Sequence, residues 1–302
     1  MKKVSCFMNF NVIMIEVVGR CMATCNYCPQ GSGVLPIMDS KDSLITPEIL
    51  DKALFLAKKG KQKIIFLHHR GEPFLHPDID KIIVKIREAG FLACLSTNLI
   101  VATEEKLEKV LRAGLNQLEV HYSGGRTILS HNELLKKIHR LRKMNWSIRN
   151  NGCRIEINYA LQDKESEELV RKEMSTCSYY DETMYIEFYK PHNWPGLMNK
   201  KDRGINPFDC EWYKTLSCSI LCNGDIVICC LDQWAYSKKG NIMDIDEIGM
   251  ELISERVICK GCLQHDWFNN WINEEILKIP NYLARRLNID SLEDNRNSET
   301  RR

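Results

Sequence analysis

At 302 residues, 44% apolar and 27% charged, the chain has the composition of an ordinary soluble globular protein with room for one large core and a smaller module. A formal net charge of +2 supplies no basic field that would argue for nucleic acid, and no uninterrupted run reaches the roughly 18 apolar residues of a membrane span. Neither a nucleic-acid partner nor a membrane is expected.

Fourteen cysteines are the unusual feature. The tight clusters Cys21/Cys25/Cys28 and Cys259/Cys262 read as metal ligands in a reducing compartment rather than as disulfides, so a cytoplasmic location is expected. The start, Met1-Lys2-Lys3 and a mostly apolar run, mimics a signal peptide. Asn9, Asn11 and Glu16 interrupt that run, and no small-x-small cleavage site follows.

In chain order, Val12–Val18 is a β-branched strand buried on both faces, with Glu16 its one charge. A cysteine loop follows, and its Pro29, Gly31, Gly33 and Pro36 argue against regular structure. Thr46-Pro47 opens a helix that Gly60 stops. Strand and helix then alternate: strand 64–67, a helix from Pro77 to Gly90, strand 92–96, a helix from Thr103 to Gly114, strand 118–121, and a basic helix around 134–141. Strands 154–159 and 184–189 close the series, with a polar helix around 165–174 between them. Such alternation predicts an α/β fold with a parallel sheet, its functional loops at the C-terminal strand ends.

From about Asn206 the alternation stops. Apolar runs 216–221 and 226–228 around Asn223-Gly224 predict a hairpin. A domain boundary is placed near residue 205, giving domains 1–205 and 206–265 and an extension 266–302, with an amphipathic segment 276–287 and a polar tail.

Cys21-Met-Ala-Thr-Cys25-Asn-Tyr-Cys28 sits directly after the first strand. Three thiolates on one loop can hold three irons of a [4Fe–4S] cluster and leave the fourth open, the mark of a catalytic rather than a structural site. A zinc loop is the plainer alternative. The spacing resembles the signature of radical S-adenosylmethionine (SAM) enzymes, and Tyr27 stands where that family favours an aromatic residue. Gly71-Glu72-Pro73, at the end of the second strand, resembles the family's Gly-Gly-Glu-Pro motif, with Arg70 in place of the first glycine. The resemblance implies a partial (β/α)6 TIM-like barrel, a SAM-binding [4Fe–4S] cluster on Cys21, Cys25 and Cys28, and Glu72 as acceptor for the SAM ammonium. It also implies that Asn98 and Ser123, in Thr97-Asn98 and Ser123-Gly124-Gly125, face SAM.

Cys210, Cys229, Cys259 and Cys262 resemble the ligands of the family's SPASM and twitch modules. They imply a second, auxiliary [4Fe–4S] cluster in a small cysteine-rich hairpin/helix module, with Cys218 or Cys230 able to replace one ligand and zinc as the competing metal. Cys6, Cys94, Cys153 and Cys177 are expected in the core, His69 and His76 as structural histidines, and 136–143 as a solvated basic face. His68 is left without an assigned side.

The implied activity is hydrogen abstraction from a substrate by a 5′-deoxyadenosyl radical. A ribosomally made peptide, oxidised or cross-linked, is the first choice. A sugar or aminocyclitol, dehydrogenated or epimerised, is the alternative, and a non-catalytic zinc or Fe–S interaction protein the reading of another class. The layout is similar to that of a twitch dehydrogenase acting on an aminocyclitol. Its arginine is missing from His192-Asn193-Trp194-Pro195-Gly196, and Arg203 is only a nearby stand-in. A flavodoxin or ferredoxin is the expected reductant.

Overall fold

The run of β-branched residues after position 11 becomes β1 (Val12–Ile15), a strand that takes a parallel partner on each side, β2 (Ile64–Phe66) and β7 (Leu216–Ile220). In the computed structural model of the chain, the described residues are 12–60, 62–122, 130–160, 168, 170–172, 176, 185–189 and 216–246. Beyond β2 the sheet continues through β3 (Leu92–Thr97), β4 (Gln117–Tyr122), β5 (Arg154–Ala160) and β6 (Tyr185–Tyr189), all paired in parallel. Antiparallel β8 (Asp225–Val227) and β9 (Gly240–Asn241) finish the other edge. The order is β6-β5-β4-β3-β2-β1-β7-β8-β9, an open sheet among the described residues.

Two of the helices start where their signals place them. α1 (Pro47–Lys59) is capped by Thr46, whose hydroxyl accepts from Ile49 N, and Pro47 takes the first turn, where no N–H is needed. α3 (Glu104–Arg112) is capped by Thr103, and α4 (His131–Arg149) opens with a reciprocal box between Ser130 and Glu133. Removing such a cap costs about 1 kcal/mol. α2 (Ile79–Glu88) starts later than Pro77 predicts. Residues Pro73–Leu75 form a short 3-10 turn first, and His76 Nδ1 accepts from Asp78 N at 3.1 Å, which keeps Pro77 in the turn.

Strand alternation divides the sheet into two faces. Ile13, Ile15, Ile65, Leu67, Ala93, Leu95, Leu118, Val120, Ile157 and Tyr159 join the helices in the main core. The opposite, inner face is apolar under β1–β3, where Val12, Ile64, Phe66, Leu92 and Cys94 cluster, and polar on β4 and β5. Cys94 and Cys153 are core residues, as expected.

Three expectations change. β1 ends at Ile15 rather than Val18: Glu16 N still donates to Ile220 O at 2.8 Å, but Val17 O then accepts from Ile45 N at 3.0 Å and Val18 bridges Leu44. The basic face of α4 is not all solvated: Lys137 Nζ donates to Leu99 O at 2.8 Å and Ala102 O at 3.3 Å, and Arg140 pairs with Glu104. The hairpin forms around Gly224, whose φ of +85° suits glycine, but its first strand lies parallel against β1 and so extends the main sheet. The boundary at 205, Cys6, Cys177, segment 192–196, Arg203 and everything after 246 lie outside the described residues, as does most of the polar helix around 165–174.

Candidate active site

The cysteine loop is closed from within. Gln30 is buried, its Nε2 donating to Gly19 O at 2.7 Å and its Oε1 accepting from Cys21 N at 2.9 Å, so one side chain ties both ends. Cys28 N donates to Cys25 O at 3.1 Å. A Cβ on Gly31 would lie 2.5 Å from Cys25 N and O, so only glycine lets the chain double back there.

The thiols have N–H donors. Ala23 N and Asn98 Nδ2 each lie 3.4 Å from Cys21 Sγ, and the backbone N–H groups of Gly31 and Gln30 point at Cys28 Sγ. Burial pushes the Cys21 thiol up to about 12 and raises Cys28. Metal must therefore displace protons, which couples loading to pH. Among the described residues no three His, Cys, Asp or Glu side chains stand at metal-holding distance. The donor set nevertheless fits an iron–sulfur cluster: three soft thiols share one loop and one electrostatic neighbourhood, with N–H groups aimed at sulfur. Tyr27 is half-buried in the same loop.

Gly71-Glu72-Pro73 packs directly on this loop. A Cβ on Gly71 would lie 2.1 Å from Val18 O and 2.5 Å from Arg20 O, and Glu72 N donates to Arg20 O at 2.9 Å. The Glu72 carboxylate is buried and already accepts from Thr97 Oγ1 (2.7 Å), Asn98 N (2.9 Å) and Phe74 N (3.1 Å). Burial raises its pKa against these donors. A carboxylate has about four acceptor positions, so Glu72 braces the ends of β2 and β3 and keeps one position, on Oε2, for a further N–H donor. Asn98 links that brace to Cys21. Pro73 is buried, and Ser123 lies outside the described residues.

Glu16 is a central residue that sequence reasoning passed over. Its carboxylate is fully buried and accepts from Arg70 Nε (2.7 Å), Nη2 (2.6 Å) and N (3.1 Å) and from Cys222 N (3.2 Å). His69 Nδ1 stands 3.6 Å away. Burial disfavours its charge, but the Arg70 hydrogen bonds and the guanidinium charge prevail, with His69 close by, and hold the pKa at about 2. Arg70 therefore stands where the motif has glycine because it neutralises Glu16. The signal was one carboxylate in a doubly buried strand, which requires a partner. His69, expected to be structural, belongs to this network, and His76 braces the turn before α2.

Of the auxiliary candidates, Cys210, Cys259 and Cys262 lie outside the described residues. Cys229 is beside Cys230, which raises its pKa through a side-chain hydrogen bond, and His69 Nε2 lies 3.4 Å from the Cys229 carbonyl. That segment thus packs against the end of β2. Cys218 and Cys222 are buried in the main core.

Comparison with known proteins agrees with this geometry. The family described as the radical SAM superfamily matches residues 15–172, more than half of the chain. A PqqA peptide cyclase of Xanthomonas oryzae pv. oryzae is 23% identical over 194 residues, covering 62% of this chain and 50% of that protein. The chain spans half or less of the curated relatives it matches. Among solved structures, BtrN in complex with AdoMet and 2-DOIA has a TM-score of 0.52 at 17% identity, over 81% of this chain and 80% of that one. Streptococcus suis SuiB bound to the precursor peptide SuiA has a TM-score of 0.56 at 15% identity, over 84% and 66%. The sheet is that of a radical SAM partial barrel, with the cysteine loop after its first strand and a Gly-Glu-Pro turn against it, and the chain belongs to the radical SAM superfamily.

Proposed function

We propose that the chain is a radical SAM oxidoreductase that abstracts hydrogen from a ribosomally made peptide and oxidises or cross-links it. The observation that carries this is the packing of Gly71-Glu72-Pro73 on the cysteine loop, with Asn98 bridging Glu72 and Cys21. Cys21, Cys25 and Cys28 would hold the [4Fe–4S] cluster, and Gly71, Glu72, Pro73, Tyr27, Asn98 and Ser123 would surround SAM. With both bound, reductive cleavage of SAM supplies the 5′-deoxyadenosyl radical. The protein's own part is to hold the loop, to aim N–H donors at sulfur and to position the substrate hydrogen while excluding water.

A peptide substrate is supported by the PqqA peptide cyclase relatives and by SuiB with its bound precursor peptide. An aminocyclitol or sugar is the second reading, favoured by the likeness to BtrN with 2-DOIA. We further assign Cys210, Cys229, Cys259 and Cys262 to an auxiliary [4Fe–4S] cluster of a twitch-type module spanning 206–265, behind a barrel domain of 1–205. The buried core positions of Cys218 and Cys222 favour this set over one including Cys218. Flavodoxin or ferredoxin would supply electrons, in a reducing cytoplasm. Among the described residues no helix is long and apolar enough to cross a membrane.

Anaerobic reconstitution tests the reading. The protein should hold about eight irons and cleave SAM to 5′-deoxyadenosine without substrate, and Cys21/Cys25/Cys28→Ala should hold about half the iron and cleave none. Zinc as the main metal, or no SAM binding, would instead establish a non-catalytic metal protein.

A further inference from the structure

The turn after β2 is held from two sides, and the cysteine loop is only one of them. Beyond β8, the segment 229–233 takes hold of His69 at two points. The ring Nε2 lies 3.4 Å from Cys229 O, and Gln233 Nε2 donates to His69 O at 3.3 Å. The His69 side chain is fully buried. A carbonyl oxygen only accepts, so the ring carries its hydrogen on Nε2. Nδ1 stands 3.6 Å from Glu16 Oε2, beyond hydrogen-bond length. Among the described residues, the bond to Cys229 is therefore the one hydrogen bond of the ring.

The segment that holds His69 is itself tightly folded. Asp232 is buried, and its carboxylate accepts from Tyr236 N (3.0 Å), Ser237 N (2.6 Å) and Ser237 Oγ (2.6 Å). Asp232 N donates to Cys229 O at 3.1 Å, so Asp232 and His69 share that oxygen and use both its lone pairs. The Cys229 thiol is hydrogen-bonded to that of Cys230, and Leu231 N–H is aimed at its sulfur. Soft donors side by side, with an N–H on sulfur, are surroundings that suit an iron–sulfur cluster. On its other side His69 runs into Arg70, locked on Glu16, and Gly71, seated against Val18 O. Glu72 follows and reaches Cys21 through Asn98. The turn His69–Glu72 thus joins Cys229 to the first cysteine loop.

We propose that His69 is a positioning residue of the auxiliary cluster: by holding the Cys229 carbonyl it orients the Cys229 thiolate and fixes that cluster relative to the SAM end of β2. Hydrogen-bond partners behind a metal ligand set its direction, and losing one typically costs about 10–100-fold in metal affinity. The ring N–H also points its positive end into the segment that carries the ligand. That favours the reduced, more negative cluster and raises its potential. Because the ring is buried, water does not take its place when it is removed. The inference rests on the auxiliary-cluster reading, since it needs iron on Cys229. The donor belongs to the barrel strand β2 and not to the cysteine-rich module, so no ligand spacing announces it.

Iron release from the full chain carrying Cys21/Cys25/Cys28→Ala, the parent here, tests this, because its only cluster is the auxiliary one. After anaerobic reconstitution, His69→Leu should lose iron to EDTA roughly tenfold or more faster than the parent. Its reduced cluster should show a lower midpoint potential and altered EPR g-values. His69→Gln, whose side-chain N–H falls near the place of Nε2, should restore both. A merely structural role would lower thermal stability and leave the potential at the parent value. Gln233→Leu releases His69 O while leaving the ring, and should speed iron loss in the same direction by less. It carries the test if His69→Leu does not melt cooperatively, with parent-like release as the overturning result. Parent-like release and potential in His69→Leu, or equal impairment of His69→Leu and His69→Gln, also overturns the proposal. The parent separates the two failures. If it holds no iron, the auxiliary-cluster reading has failed; if it holds about four irons that are indifferent to His69, only the positioning role has.

Discussion

Replacing Arg70 with Ala should destabilise the protein more than any surface change, because it strands Glu16. That carboxylate is fully buried, and the guanidinium supplies two of its hydrogen bonds, at 2.6 and 2.7 Å. Lowering its pKa from 4.5 to about 2 corresponds to about 3 kcal/mol of folding stability at about 1.4 kcal/mol per unit. Breaking a buried pair by removing one partner costs about 3–5 kcal/mol, so the two routes agree. The sign follows from linkage. A depressed folded pKa stabilises above the unfolded value, and that contribution is lost as pH falls from about 4.5 through about 2. In Arg70→Ala the buried carboxylate loses its cation and its pKa rises, so near pH 7 it must carry an unpaired charge or take up a proton at a cost, and the gap to wild type should be greatest there and narrow in acid. Urea midpoints of the metal-free chain from pH 7 to 3 measure this without interference from acid loss of a cluster. Glu16→Met/Arg70→Met, which leaves no buried charge, should cost much less than Arg70→Ala. A gap under about 1 kcal/mol at pH 7, or one that does not change in acid, would refute the reasoning.

Three further predictions concern the loop, the auxiliary site and the reaction outcome. Gly71→Ala forces a Cβ to within 2.1 Å of Val18 O, so the cysteine loop must move; reconstituted iron should fall well below wild type and stability by about 1–3 kcal/mol, read by iron assay and thermal melting. Cys259→Ala/Cys262→Ala should retain SAM cleavage to 5′-deoxyadenosine but make no product, measured by mass spectrometry. Full product from that variant would show that the auxiliary cysteines are not needed. In heavy water, wild-type product two mass units lighter with no deuterium marks oxidation or cross-linking; a single deuterium gained marks epimerisation.

Strand and helix order, the cap at Thr46, the helix start at Thr103, the Asn223-Gly224 turn and the cysteine triplet were all legible in the chain. Each is local: hydrophobic period, cap chemistry and ligand spacing are properties of a few consecutive residues. The side of the sheet that each strand shows to the helices was not legible for His68, because alternation sets two faces without saying which is covered. Nor was the partner of Glu16, which lies 54 residues away and answers to burial rather than to any neighbour in sequence. Tertiary structure alone placed β7 beside β1, making a hairpin that reads as the start of a separate module into part of the main sheet. It also aligned Glu119 with Glu156 and left Gln117 and Asn158 with unmet acceptors. Those outcomes depend on long-range register and on the balance of donors and acceptors inside the fold, quantities that come into being only when distant segments pack.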